Sequence, residues 1–262
     1  MRNVPIKIFL IAKTRPEAEG VNMWLQHLRV KEHDQMAAEV VQIPGAVAGI
    51  AAKRCYLSFE PGLNPNVTRV RKGWFDYFTN VLNSGHGSVL EHITYSFAIE
   101  GVSRVFTGEI NRHRAGVAIS EGSMRYIRFA DIPWWSPLCL EGSGPKQKRT
   151  TEIFNEVFEF VETKYKELLD VWEIDEENFS EKKKITSMLR RIIPMGVATG
   201  GIWTFNIRAL RHIIALRTLS HAEEEIAYVI SKIAKRMVEE EPLLMQDFKE
   251  IDGCWVPDCE KV

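Results

Sequence analysis

The sequence predicts the α+β class, with one domain over residues 1–262, on three observations. Apolar residues make up 45% of the 262 residues and aromatic residues 10%, enough to bury a real core in a chain of this length. Strand-like and long helix-like runs alternate, but without the strand–helix–strand rhythm of a parallel sheet. The 17 glycines and 11 prolines follow no period, which excludes collagen-like, low-complexity and repeat architectures.

The elements follow in order. Residues 4–12 (VPIKIFLIA) read as a short strand and 21–29 (VNMWLQHLR) as a short helix. Residues 46–60 are small and apolar and run into a loop at Pro61-Gly62-Leu63-Asn64-Pro65-Asn66. Trp74, Phe75, Phe78, Val81 and Leu82 recur at helical spacing, and Asn83-Ser84-Gly85 stops that helix. In TYSFAIEGV, Tyr95, Phe97 and Ile99 alternate with small or polar positions, the pattern of a strand. Ser103 is placed to cap a helix through Val105, Phe106 and Ile110 to Arg112. Residues 133–148, with Trp134, Trp135, three prolines and Gly142-Ser143-Gly144, read as an irregular connection. Ile153, Val157, Val161, Leu168 and Trp172 lie on or near one face of a long amphipathic helix over 150–172. Residues 175–184 are charged and read as a solvated face; 185–217 are apolar and arginine-bearing. Ser220-His221-Ala222-Glu223 has capping-box form and predicts a helix from there to Glu239.

Charge and motifs exclude several functions. Lys and Arg number 34 against 35 Asp and Glu, a net charge of -1. A protein that coats nucleic acid carries a basic excess, so any anion bound here belongs to a local site and no nucleic-acid partner is expected. No run approaches the roughly 18 apolar residues that span a bilayer, and Ile8 to Ala12 lacks a cleavage site behind it, so neither a membrane partner nor a secretory signal is expected. Cys55, Cys139, Cys254 and Cys259 are too scattered for a disulfide framework, and Cys254 and Cys259 lack the second pair of a zinc site. A cytoplasmic protein without a metal is expected. The chain has no dinucleotide-fold glycine motif, P-loop or nucleophile elbow, and His86 to His92 lacks the spacing of a zinc-protease motif.

Arginine placement is the unusual feature. Five arginines (104, 112, 114, 125, 128) lie between Arg104 and Arg128, and five more (190, 191, 208, 211, 217) between Thr186 and His221, with no lysine in either stretch. Solvated surfaces mix the two cations; arginine alone among Ile, Leu, Ala and Phe suits partly buried anion recognition through its rigid fork of donors. Structural pairing with Glu91, Glu109 and Glu121 accounts for the pattern equally well. The densest group is Asn111-Arg112-His113-Arg114 followed by Ser120-Glu121-Gly122-Ser123-Met124-Arg125-Tyr126. Its small residues let the backbone approach a ligand, and Ser123 with nearby N–H groups and Arg125 suits a phosphate. A phosphorylated small molecule is the ligand class these residues suggest.

Arg112-His113-Arg114 with a serine shortly before Arg125-Tyr126 resembles the signature of the flavin-dependent thymidylate synthases. His86-Gly87-Ser88-Val89-Leu90-Glu91-His92 and Ala51-Ala52-Lys53-Arg54-Cys55 resemble further blocks of that family. So do Arg190-Arg191-Ile192-Ile193-Pro194, Trp203-Thr204-Phe205-Asn206-Ile207-Arg208 and Leu216-Arg217-Thr218-Leu219-Ser220-His221-Ala222-Glu223. The blocks occur in family order from about residue 51 to 240.

The resemblance implies a mixed or antiparallel sheet with long helices, a homotetramer with active sites shared between chains, and FAD as cofactor. The implied reaction is reductive methylation of dUMP to dTMP, with NADPH as reductant and methylenetetrahydrofolate as one-carbon donor. By motif position, Arg112, Ser123 and Arg217 are the implied catalytic residues, with Arg112 and Arg217 facing the uracil. Glu109, Glu121, Gly122, Ser123, Met124, Arg125 and Arg190 are the further implied dUMP contacts. Cys55, His86, Ser88, Glu91, Arg112, His113, Arg114, Asn206, Arg208, His212 and His221 are the implied flavin contacts. Guanidiniums at the ring carbonyls would stabilise charge as uracil becomes enolate-like. No cysteine has the Pro-Cys-His-Gln setting of the other thymidylate synthase class; Cys139 lies between Leu138 and Leu140.

Three positions depart from the family pattern. Eight residues separate Arg114 from Ser123, one more than in the signature, and a bulge in a loop around Ala115–Ile119 is expected to absorb the extra one. His212 stands where an amide is expected and Gly200 where an arginine is frequent. The insertion motivates one alternative, a pyrimidine-nucleotide hydroxymethylase; a non-catalytic nucleotide-binding oligomer is another.

Overall fold

The computed structural model describes residues 2–71, 73–129 and 131–259; residues 1, 72, 130 and 260–262 of the unit expected from the sequence lie outside the described residues. The first third holds β1 (Arg2–Asn3), β2 (Lys7–Lys13), α1 (Ala18–His27), α2 (His33–Val40), α3 (Ala46–Tyr56) and α4 (Trp74–Asn83). A 3-10 turn over Gly87–His92 leads into β3 (Thr94–Ser103), α5 (Arg104–Ile110), β4 (Val117–Glu121) and β5 (Pro133–Trp134). Then come α6 (Pro145–Val171), α7 (Phe179–Leu189), β6 (Ala198–Asn206), α8 (Ile207–Arg217), α9 (Glu224–Glu240), β7 (Phe248–Ile251) and β8 (Cys254–Pro257).

The antiparallel sheet has the order β2-β3-β6-β4. Tyr95, Phe97 and Ile99 on β3, the residues whose alternation marks the strand, are fully buried and stand opposite Phe205, Trp203 and Gly201. Behind this face α5, α8 and α9 supply Phe106, Ile110, Leu210, Ile213, Ile230 and Ile233 to one core. Phe106 meets Trp203 edge-on at 5.8 Å. A second cluster lies under α6 and α7 around Phe158, Tyr165 and Leu189, and a third joins α1, α2 and α3.

Several boundaries differ from the sequence reading. The strand expected over 4–12 is β2 over Lys7–Lys13, and the helix expected over 21–29 is α1 over Ala18–His27. Helix α6 starts five residues early, because Pro145 at its first turn suits a helix start. The charged run 175–184 is exposed or half-exposed throughout, as expected of a solvated face, and its second half is helical, with Asn178 capping α7. Ser220 does not open α9; Glu223 does, its carboxylate accepting from Glu225 N and Ile226 N at 3.0 and 3.1 Å. Around Ala115–Ile119 there is no bulged loop. A turn with Gly116 at φ +70 precedes β4, which pairs with β6 in unbroken register from Val117↔Phe205 to Glu121↔Gly201.

Two helices leave the central ladder directly. Ser103 ends β3 and caps α5, its hydroxyl accepting from Val105 N at 3.0 Å; Asn206 ends β6 and caps α8 through Ala209 N at 2.8 Å. Because Ser103 pairs with Ala198 and Thr94 with Asn206, α5 and α8 start at opposite ends of the same strand pair. Their C-terminal ends meet, and the densest group of arginines lies there.

Candidate active site

Glu109, in the last turn of α5, is the hub of the meeting point. Its carboxylate accepts from Arg217 Nη1 at 2.9 Å and pairs with Arg112 Nη1 at 3.2 Å. Arg217 Nε also donates to His113 Nε2 at 2.8 Å. That contact leaves the His113 proton on Nδ1. Burial, followed by the Arg217 and His212 charges, lowers the His113 pKa, so the ring is held neutral. The two guanidiniums differ in access: the Arg217 side chain is 17% exposed and that of Arg112 70%. Arg217 is fixed from behind, whereas Arg112 presents its fork outward.

Glu121, at the end of β4, forms a second node. One oxygen accepts from Asn111 Nδ2 at 2.9 Å, and Asn111 Oδ1 accepts from Trp203 Nε1 at 3.1 Å. The other oxygen takes the Arg104 guanidinium, whose Nη2 also donates to Gly122 O at 2.6 Å. The next residues run along α7. Thr186 Oγ1 donates to Arg125 O at 2.5 Å, and Arg190 follows Thr186 by one helical turn. Met124 packs on the cluster beneath α6 and α7, while Arg125 and Arg190 are exposed. Arg190 is close enough for its charge, after burial, to lower the Arg104 pKa.

A cleft of about 550 Å³ opens beside the Glu109 hub, lined by Glu91, His113, Arg114, Gly116, Asn206, Arg208 and His212 among others. This volume lies within the range of small-molecule sites. Arg208 Nη1 donates to Glu91 at 2.6 Å, tying α8 to the 3-10 turn. His113 and His212 face each other edge-on at 6.3 Å. Gly116 has no room for a side chain: a Cβ would lie 2.4 Å from Asn206 Nδ2.

Glu109, Arg112, His113, Arg114, Asn206, Arg208, His212, Glu91 and Arg217 are thus brought together. Glu121, Gly122, Ser123, Met124, Arg125 and Arg190 form an adjoining group, joined to the first through Asn111. Cys55, His86 and Ser88 do not line the cleft; His86 stands edge-on to Tyr56 at 5.9 Å. His221 is exposed in the turn after α8 and does not line the cleft. At Gly200 the Glu100 carboxylate occupies the space that a side chain would take. Sequence reasoning assigned no role to Arg104, Asn111 or Trp203. Arg104 was visible only as a member of the lysine-free stretch.

Known proteins resemble this chain in family, in sequence and in fold. Residues 25–243 match the family model described as thymidylate synthase complementing protein. A flavin-dependent thymidylate synthase of Mycolicibacterium vanbaalenii is 31% identical over 249 residues, 94% of this chain and 90% of that protein. One from Mycobacterium tuberculosis H37Rv is 31% identical over 208 residues, 78% of this chain and 79% of that protein. Among solved structures, the UMP/dUMP methylase PolB of Streptomyces cacaoi, bound with 5-Br dUMP, is similar at TM-score 0.62 and 18% identity, covering 93% of this chain and 95% of that one. The same protein bound with 5-Br UMP gives a TM-score of 0.64 at 16% identity.

Proposed function

The chain belongs to the thymidylate synthase complementing protein family, and from that premise we propose that it is a flavin-dependent thymidylate synthase. It methylates dUMP reductively to dTMP, with FAD as redox cofactor, NADPH as reductant and methylenetetrahydrofolate as one-carbon donor. The observation that carries this reading is the pair Arg112 and Arg217, drawn from different parts of the chain onto one carboxylate.

The residues present fit a flavin dinucleotide in chemical kind. Among the described residues the Arg114 side chain makes no ion pair or hydrogen bond, and it lines the cleft. Together with Arg208 it offers charge for a pyrophosphate. Gly116 keeps the wall free of side chain. When bound, FAD supplies the hydride-carrying redox chemistry. Glu91, Arg112, His113, Arg114, Asn206, Arg208 and His212 are its proposed contacts, with Cys55, His86, Ser88 and His221.

The chain's own residues do the rest. Arg112 and Arg217 face the uracil carbonyls and stabilise the charge that develops on the ring; Glu109 fixes their spacing. His113, kept neutral, accepts from Arg217 without competing for the anion. Glu121, Gly122, Ser123, Met124, Arg125 and Arg190 take the remainder of the nucleotide, with Ser123, Arg125 and Arg190 at its phosphate. Asn111 joins the two halves, so one nucleotide can span both.

Exposed apolar side chains on α6 (Ile153, Phe154, Val157, Phe160) and on the sheet (Phe9, Ile11, Ile202) support burial between copies. We therefore propose a homotetramer whose shared sites bring Cys55, His86, His221 and the exposed arginines to a flavin. The unpaired cysteines support a cytoplasmic, reducing setting.

The test is an absorbance spectrum of purified protein, followed by turnover of dUMP with folate and NADPH. A flavin spectrum and a product in which a methyl group has replaced one hydrogen of dUMP are expected. A colourless protein that FAD cannot reconstitute overturns the reading. A hydroxymethyl product, or nucleotide binding without turnover, assigns one of the two alternatives instead.

A further inference from the structure

Arg104 stands where helix physics disfavours it. It is the first residue of α5, at the positive end of the backbone dipole, where a cation is repelled. It is also largely buried, with a side chain 17% exposed, and burial and Arg190 together lower its pKa. Its fork nevertheless faces inward: Nη1 to the Glu121 carboxylate, Nη2 to Gly122 O at 2.6 Å. Nε is sealed from solvent without an acceptor. These engagements turn the group toward the protein, not toward a ligand.

What it holds is specific. Glu121 and Gly122 end β4 and begin the Ser123–Arg125 segment. Gly122 N donates to Gly200 O at 2.8 Å, so Arg104 grips the residue at which the chain leaves the sheet. Asn111 holds the second Glu121 oxygen from the far end of the same helix. One carboxylate is therefore clamped by both ends of α5.

We propose that Arg104 is a positioning residue for the nucleotide site, acting through Glu121 and Gly122 to set the geometry of Ser123 and Arg125. The inference rests on the reading of residues 121–125 as part of the dUMP site. It assigns Arg104 no contact with substrate or flavin.

Arg104→Lys is the informative substitution, because a lysine keeps the charge but cannot bridge two acceptors at fixed angles. The variant is expected to raise KM and Kd for dUMP roughly tenfold to a hundredfold, the equivalent of losing a charged hydrogen bond. kcat should stay within about twofold and FAD affinity should not change. Combined with Glu121→Gln it should cost no more than the worse single change, because the two act as a unit. Amide hydrogen exchange on the dUMP-free holoenzyme should accelerate at residues 121–126 and nowhere else. Unchanged dUMP affinity with unchanged exchange overturns the proposal. So does a loss of FAD and dUMP affinity in equal measure with a lowered melting temperature, which marks a general structural role. If the wild type neither binds nor converts dUMP, the reading of the site fails; exchange at 121–126 then still decides whether Arg104 orders that segment.

Discussion

Replacing Gly116 by alanine tests the coupling between backbone and cleft most directly. Gly116 adopts φ +70, and an added Cβ would lie 2.4 Å from Asn206 Nδ2 and 2.7 Å from its Cγ and Oδ1. The left-handed conformation costs an L residue about 1–2 kcal/mol. Asn206 must also move, which breaks its bond to Ala209 N and costs about 1 kcal/mol of cap. The sum is roughly 2–3 kcal/mol, or on the order of 4–12 °C in melting temperature for a domain of this size. Because α8 carries Arg208 and His212 about half a turn and just under two turns from that cap, flavin affinity should fall as well. Urea unfolding gives the first quantity, as a lowered midpoint at unchanged slope; fluorescence titration with FAD gives the second. Asn206→Ser, which keeps a capping hydroxyl and shortens the side chain, should recover the cap share, about 1 kcal/mol, in the Gly116→Ala background and leave the backbone strain. Stability within 0.5 kcal/mol of wild type would refute the steric reasoning, and lost stability with intact flavin binding would refute the link to the cleft.

Arg112→Ala should lower kcat by about a hundredfold or more, the scale for a donor that acts at the transition state; a near-wild-type kcat in steady-state assays removes it from the chemistry. Arg190→Ala should act chiefly on KM for dUMP, and an unchanged KM takes it out of the phosphate site. Burial raises the Glu241 pKa from 4.5 to about 7, although Tyr95 donates to its carboxylate. The folded chain therefore keeps a proton that the unfolded chain releases between pH 4.5 and 7, so stability falls as pH rises through that window. The difference reaches on the order of 3 kcal/mol at 1.36 kcal/mol per unit. Glu241→Gln should flatten the wild-type decline in melting temperature between pH 5 and 8; parallel curves would show that the carboxyl is already ionised at pH 5.

Where one side of a segment meets a core and the other does not, its element could be read from residues alone. Strand β3 is legible because Tyr95, Phe97 and Ile99 alternate. Strand β6 is not, because Gly200 and Gly201 interrupt the pattern and Glu100 fills the space above Gly200. The lysine-free arginines left ligand binding and ion pairing open, and different members realise each. Arg211 makes a buried two-point pair with Asp247 at 2.7 and 2.8 Å and belongs to the core, whereas Arg112 is exposed. The sequence could not separate them, because Asp247 lies 36 residues from Arg211. Arg104 was opaque for a related reason: its acceptors are on a strand whose pairing depends on β6.

The opposed starting points of α5 and α8 turn the sheet into a ruler for the chemistry. Sliding β3 along β6 by a single residue would shift one helix origin by about 3.4 Å against the other and rotate Phe97 or Trp203 out of the core. The same slip would draw Arg217 away from Glu109. A misaligned ladder therefore carries no assembled reaction centre, and correct strand pairing is checked by the contact that catalysis needs.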